Sequence, residues 1–333
     1  MNQIKWLAID LAKRFFQLHG VDDRGVVVLR KQLPRHKLLS YLAQLPACIV
    51  AMEACGSSHY WGRQFQMLGH SVRLIPPQYV KPFVKGNKTD RNDAEAICEA
   101  AQRPNMRLVS VKSEEQQALM AAQSSRELLV KSRTALSNHL RGVLGEFGLQ
   151  APKGLSALRA LLREVAELQT LPSLLREVCA SLTEHLALLD AAVTQAHSRL
   201  ERFAAQNTTC RHLMQRRGIG VLTASALVAQ IDPTQFKNGR HLAAYIGLVP
   251  KQHSTGGKQV LLGISKRGNV QLRTLLIHGA RALVRTAAGK SDPLSRWIVQ
   301  LLARRGKHKA FVAVANKLAR YAWVDLRDAR KLA

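Results

Sequence analysis

Two short apolar runs near the start of the chain each stop at a carboxylate: Ile4-Lys5-Trp6-Leu7-Ala8-Ile9-Asp10 and Cys48-Ile49-Val50-Ala51-Met52-Glu53. A charge at the end of a buried strand is unfavourable unless something compensates it. Acids are also scarce here, with 22 Asp and Glu against 50 Lys and Arg. The pair therefore constrains both fold and chemistry. The runs are expected to become neighbouring core strands whose acids meet a cation, although Asp10 alone could be an ordinary strand-end residue.

The segments around these runs set the strand order. Residues 4–10 read as a strand, and residues 15–21 as a second after a short turn. Asp22-Asp23-Arg24-Gly25 is turn chemistry, followed by the β-branched run Val26-Val27-Val28-Leu29. A helix near 36–45, the strand ending at Glu53, a helix near 58–68 and a strand at 71–75 follow, with Pro76-Pro77 as the stop. Three antiparallel strands and then helix and strand in alternation is the order of an RNase H-like α/β fold.

Beyond residue 110 the strand signals vanish. Leu119, Leu128, Leu129, Leu136, Leu140 and Leu144 recur at helical spacing, and Gly148 to Gly154 and Pro172 punctuate two or three long helices. Residues 174–203 suit an antiparallel or intermolecular coiled coil. From 206 onward the chain is expected to be mainly helical, with a glycine-rich stretch from 247 to 268. The predicted division is therefore an RNase H-like α/β domain at 1–110, a helical coiled-coil linker at 111–205 and a basic, mainly helical domain at 206–333.

Charge narrows the partners. The formal net charge is +28, and residues 206–333 carry 23 Lys and Arg against four Asp and no Glu. Such an excess attracts polyanions, nucleic acid foremost. No apolar run is long enough to span a bilayer and no signal-peptide pattern opens the chain, which argues against a membrane partner. Five scattered cysteines without a Cys-x-x-Cys pair read as reduced thiols of a cytoplasmic protein.

Three constellations carry chemistry. In the predicted sheet Asp10 and Glu53 end adjacent strands, and Asp90 and Asp93, three apart on a helix, share one face. Four such carboxylates can hold two Mg²⁺ ions that act on a phosphodiester. Read singly, Asp90 and Asp93 after Thr89 are equally a helix N-cap pair. The second constellation is Arg216-Arg217-Gly218-Ile219-Gly220, which reads as a helix-hairpin-helix turn for phosphate or as a plain tight connection. The third is Lys251-Gln252-His253-Ser254-Thr255-Gly256-Gly257-Lys258 with Lys266-Arg267-Gly268 downstream. It reads as a basic DNA-contacting loop whose hydroxyls are either incidental or nucleophilic.

Together these motifs resemble, across nearly the whole chain, the DEDD transposases of bacterial insertion sequences, family one-ten and its eleven-eleven subgroup. The matching pieces are Ala8-Ile9-Asp10, Met52-Glu53-Ala54-Cys55-Gly56, Lys88-Thr89-Asp90-Arg91-Asn92-Asp93-Ala94, Gly218-Ile219-Gly220, His253 to Lys258 and Gly263 to Gly268. The resemblance implies a RuvC-like catalytic domain at 1–110 and a C-terminal transposase domain at 206–333, and that Asp10, Glu53, Asp90 and Asp93 bind Mg²⁺. It implies that a serine, Ser254 with Thr255 as the alternative, attacks DNA and becomes covalently linked to it. It further implies a guide non-coding RNA made by the element, self-association as a dimer or tetramer, and a bacterial, nucleoid-associated setting. Arg216, Arg217, Gly218, Gly220, Lys251, Lys258, Lys266 and Arg267 are the expected nucleic-acid contacts. The competing readings are a RuvC-like Holliday-junction resolvase that uses water, and a non-catalytic basic nucleic-acid-binding protein.

Overall fold

A computed structural model describes residues 3–86 and 89–331. Lys88, the first residue of the Lys-Thr-Asp motif, lies outside the described residues. Two compact units divide the chain, Met1–Glu114 and Glu115–Ala333.

The first unit is built on a five-stranded mixed sheet. Its strands are β1 (Trp6–Asp10), β2 (Phe15–Val21), β3 (Val27–Pro34), β4 (Ile49–Glu53) and β5 (Ser71–Ile75), in spatial order β3-β2-β1-β4-β5. β2 pairs antiparallel with both β1 and β3, whereas β1–β4 and β4–β5 are parallel. This arrangement is compatible with the RuvC-like expectation. The helices of the unit are α1 (Leu38–Leu42), α2 (Ser58–Met67), α3 (Pro77–Val80) and α4 (Asp90–Ala101). The helix expected at 36–45 is shorter than the pattern suggested. A 3₁₀ turn at Arg35–Lys37 leads into α1, which ends at Leu42.

The two faces of the sheet differ in side-chain size. Leu7, Ile9, Phe16, Leu18, Val50, Met52 and Leu74 pack with Trp61 and Phe65 of α2 and with Leu38 and Leu42 of α1. The opposite face presents Ala8 and Ala51 to Ala96, Ile97, Ala100 and Ala101 of α4. Alanine facing alanine lets a helix lie close to a sheet without a cavity. Because strand side chains alternate, Asp10 shares the face of Ala8, and Glu53 that of Ala51. Both acids thus belong to the face that α4 covers.

The second unit is mainly helical. It holds α5 (Glu114–Gly145), which begins at the boundary residue, then α6 (Leu155–Glu167), α7 (Ser173–Gln206), α8 (Thr208–Met214), α9 (Val221–Gln230) and α10 (Gly239–Tyr245). A two-stranded sheet of β6 (Pro250–Gln252) and β7 (Leu261–Ile264) precedes α11 (Val270–Arg285) and α12 (Pro293–Lys331), the last broken at Gly306. Gly154 and Pro172 stand as the N-caps of α6 and α7, at the punctuation read from the sequence. Leu140, Leu144, Leu158, Leu162, Leu175 and Leu186 join α5, α6 and α7 in one core. Asp190 of α7 takes Arg133 of α5 at 3.1 Å and also Arg159 of α6. A larger core gathers α8 to α12. There the backbone of the Gly218 turn meets α11 so closely that a Cβ on Gly279 would sit 1.9 Å from the Gly218 carbonyl oxygen.

Among the described residues no helix is long and apolar enough to cross a membrane. The five cysteines are free: Cys48, Cys98, Cys179 and Cys210 are buried, and Cys55 is exposed.

Candidate active site and nucleic-acid interface

The acidic site starts from strand register. β1 and β4 run parallel with Ile9 opposite Met52, so Asp10 and Glu53 each follow at the next position, at the same end of the sheet. After β4 the chain turns sharply. The Ser58 hydroxyl donates to the Cys55 carbonyl at 2.9 Å and accepts from the Cys55 amide at 3.1 Å, closing the loop into α2. The other two acids come from the start of α4. Thr89 is its N-cap, accepting from the Asn92 amide at 3.3 Å. Both readings of this motif therefore hold at once. The cap sets where α4 begins, and its first turn presents Asp90 and Asp93.

Asp10, Asp90 and Asp93 each offer a carboxylate oxygen, and these oxygens all lie within 4.8 Å of one another. Glu53 stands at the neighbouring strand end and is not part of that trio. Asp90 is exposed, and Asp10 and Asp93 are half-buried. Three carboxylates this close repel one another, and hard oxygen donors are the ligand type that Mg²⁺ selects. The donor set fits a divalent cation. Behind it, His19 of β2 is buried among groups of mixed sign. Burial is the main cause that lowers its pKa, with Arg30 and Arg91 adding to that and Glu95 opposing it.

The Ser254 segment, within the glycine-rich stretch, forms a β-hairpin. β6 pairs antiparallel with β7, and Thr255 bridges to Lys258 across the tip. Gly256 and Gly257 have φ of 53° and 77°. Positive φ at both central positions is what a type I′ turn requires. The tip residues Gly256 and Gly257 thus have a backbone task of their own. The Ser254 hydroxyl accepts from the Val260 amide at 3.3 Å, while the His253 amide donates to the Val260 carbonyl at 3.0 Å. Residues 250–263 are exposed throughout, Lys251 and Lys258 included. Gln252, Ser254, Thr255, Gly256, Gly257 and Gln259 line a shallow depression of about 370 Å³.

Lys266 and Arg267 are also exposed, in a segment clamped to the end of α10. Lys266 has φ of 54°, and a Cβ on Gly268 would lie 1.8 Å from the Tyr245 carbonyl oxygen. The buried Arg273 fastens the same place, donating to the carbonyls of Ile246 at 2.7 Å and Arg267 at 3.0 Å.

The arginines before the Gly-Ile-Gly turn already have partners. Arg216 makes a two-pronged pair with Asp325, both bonds 2.8 Å, and Arg217 reaches Asp292 at 2.6 Å. The Asp292 carboxyl is held far below the usual carboxylate range. The main cause is the Ser295 hydroxyl, which donates to it at 2.6 Å, and Arg217 adds to the effect. Gly218 has φ of 88° and touches Leu283, which accounts for glycine there by packing. Gly220 is the exposed N-cap of α9.

Comparison with known proteins gives the family of the chain. A DEDD transposase model of the IS110 type matches residues 7–148, and a model of the "Transposase IS116/IS110/IS902 family" matches residues 210–294. A "Probable family 20 transposase" of Pseudomonas aeruginosa is 51% identical over 324 residues, covering 96% of each chain. The "Transposase for insertion sequence element IS1111A" of Coxiella burnetii is 46% identical over 329 residues, 98% of this chain and 90% of its own. That for element IS1328 of Yersinia enterocolitica is 40% identical over 325 residues, 97% of each. The chain is therefore an enzyme that cuts and rejoins DNA. It belongs to the IS110 family of insertion-sequence transposases.

Proposed function

We propose that this transposase uses the acidic trio, with Glu53 beside it, to hold Mg²⁺, and Ser254 to attack the DNA backbone. The observation that carries the reading is the convergence of Asp10, Asp90 and Asp93 oxygens within 4.8 Å. Bound Mg²⁺ would supply positive charge against the phosphate oxygens and lower the pKa of an attacking hydroxyl. Ser254 contributes the nucleophile. Its Oγ forms a bond to phosphorus, one ester P–O bond breaks, and the released deoxyribose oxygen takes up a proton. The Val260 amide already donates to that Oγ, which favours the developing negative charge. The phosphoserine ester preserves the energy of the bond, so attack by another strand's hydroxyl rejoins DNA and frees the serine. Thr255, next in the chain, is the alternative nucleophile.

The exposed Lys251, Lys258, Lys266 and Arg267 are assigned to phosphate contact around the hairpin. Arg216 and Arg217, held by Asp325 and Asp292, stiffen the turn that carries Gly220. The acids and the serine sit in separate units, so catalysis requires the two units, of one chain or of two, to engage one DNA. The helices of 111–205 are assigned to linking and self-association as a dimer or tetramer. A guide non-coding RNA is assigned the choice of target by base pairing.

The test is incubation with Mg²⁺, co-purifying RNA and end-labelled element DNA, followed by denaturing electrophoresis. A labelled protein–DNA adduct that is lost in Ser254→Ala supports the reading. Persistence of the adduct in that variant, with loss in Thr255→Ala, moves the nucleophile by one residue. Cleavage without any adduct in the wild type favours a resolvase that uses water.

A further inference from the structure

Residues 206–333 contain four carboxylates, and each is held by an arginine: Asp232 by Arg330, Asp292 by Arg217, Asp325 by Arg216 and Asp328 by Arg327. That leaves a large cationic surplus without acidic partners in this region. Among the described residues no ion pair engages Arg240, Lys317 or Arg320. These three line a single cavity of about 420 Å³ with Asn238, Tyr321 and Trp323.

The cavity is built by close backbone contact. A Cβ on Gly239 would fall 2.8 Å from the Arg320 carbonyl oxygen, so glycine lets the start of α10 abut α12 and sets Arg240 beside Arg320. Asn238 fixes that start by accepting from the amides of Arg240 and His241 at 3.0 and 3.2 Å. The Lys317 ammonium lies 4.3 Å from the centre of the Trp297 ring. The Trp323 indole N–H donates to the Pro233 carbonyl at 3.1 Å, which anchors its ring. Three cations around one hollow repel one another until an anion enters. Two half-exposed aromatic rings beside them suit a nucleotide more than a bare ion.

We infer that this cavity seats one phosphate of a polynucleotide strand, held by Arg240, Lys317 and Arg320, with Tyr321 and Trp323 against the adjoining sugar or base. The inference rests on membership of the transposase family, not on the metal or serine assignments. DNA and RNA share the chemistry, and the arms of the experiment separate them.

The experiment measures equilibrium binding of the full chain to fluorescent single-stranded DNA, duplex DNA and single-stranded RNA, in EDTA, across a salt series. The variant Arg240→Gln/Lys317→Gln/Arg320→Gln is compared with Lys290→Gln/Arg304→Gln/Arg305→Gln, which removes equal charge from exposed positions elsewhere. Loss of the seated phosphate should lower the salt slope by about 1 and weaken binding at least about 10-fold, against less than about 3-fold for the comparison variant. The probe with the larger difference identifies the strand that occupies the cavity. Equal losses in the two variants overturn the proposal. Photocross-linking of iodouracil-substituted strands to the wild-type chain removes any dependence on variant folding. Adducts at Tyr321 or Trp323 support the site, and adducts confined to other peptides overturn it. Because these assays read binding without metal, their failure and the absence of a serine adduct are separate results.

Discussion

Replacing Asp93 by Asn removes one of three charges whose oxygens lie within 4.8 Å of one another. Two unit charges at that separation repel by about 1 kcal/mol in water and by about 3.5 kcal/mol at an effective dielectric constant of 20. Asp90 is exposed and the other two are half-buried, so the watery end of that range applies. Two repulsive pairs disappear in the variant, relieving about 1–2 kcal/mol in the metal-free state. Opposing this, a carboxylate in the first turn of α4 gains about 0.3–1 kcal/mol from the helix dipole. Without metal, Asp93→Asn is therefore expected to match the wild type or exceed it by up to about 1.7 kcal/mol.

Added Mg²⁺ should reverse the order. A ligand bound only by the native state stabilises it by about 2.7 kcal/mol at 100 times its Kd, and a neutral amide gives up most of that gain. For a unit of this size 1 kcal/mol corresponds to a Tm change of about 4 °C or slightly more. The assay is thermal melting of the full chain in EDTA and through a Mg²⁺ titration, with NaCl holding ionic strength constant because salt screens the same repulsion. Crossing melting curves are the expected outcome. If the variant melts several degrees below the wild type in EDTA, and both rise equally with Mg²⁺, Asp93 has a structural role and the acidic trio is not a metal site.

Other perturbations test the remaining parts. Gly279→Ala would drive a methyl group to 1.9 Å from the Gly218 carbonyl and is expected to destabilise the second unit by about 3 kcal/mol or more, read from its denaturation midpoint. At the hairpin tip, Gly256→Asn keeps a residue that tolerates positive φ and should retain transposition. Gly257→Val should abolish transposition in an element-excision assay while leaving Tm within about 1 °C, since the hairpin is exposed. Burial, with Lys112 and Arg63 nearby, pushes the His59 imidazole down to about 4. The unfolded imidazole takes up its proton first as pH falls below about 6.5, so the stability tied to His59 is full above that value and declines toward pH 4. Denaturation midpoints at pH 7.5, 5.5 and 4.5 should fall less steeply in His59→Gln.

What the sequence revealed and what it hid follow from the range of the forces involved. The strands of the first unit were legible because alternation and turn residues are local, and each apolar run ended where its acid began. Thr89 with Asp90 and Asp93 was legible for the same reason, since a cap and an i,i+3 pair are contained within one helical turn. The hairpin at 250–264 was missed because it is almost wholly exposed and shows no buried alternation. Its one signal is the Gly256-Gly257 pair flanked by Thr255 and Lys258, which fits a DNA-contacting loop as readily as a hairpin tip. Long-range partners left no local trace. Arg216 reads as a phosphate contact because it stands beside the Gly-Ile-Gly turn, and nothing local announces its two-pronged partner Asp325, 109 residues away. The same holds for Arg240 and Arg320, which become a pair only because Gly239 admits the α12 backbone. In so basic a chain a cation's task is set by whether one of the few acids reaches it. The four aspartates of residues 206–333, more than the many arginines there, therefore decide which surface of that region is left for nucleic acid.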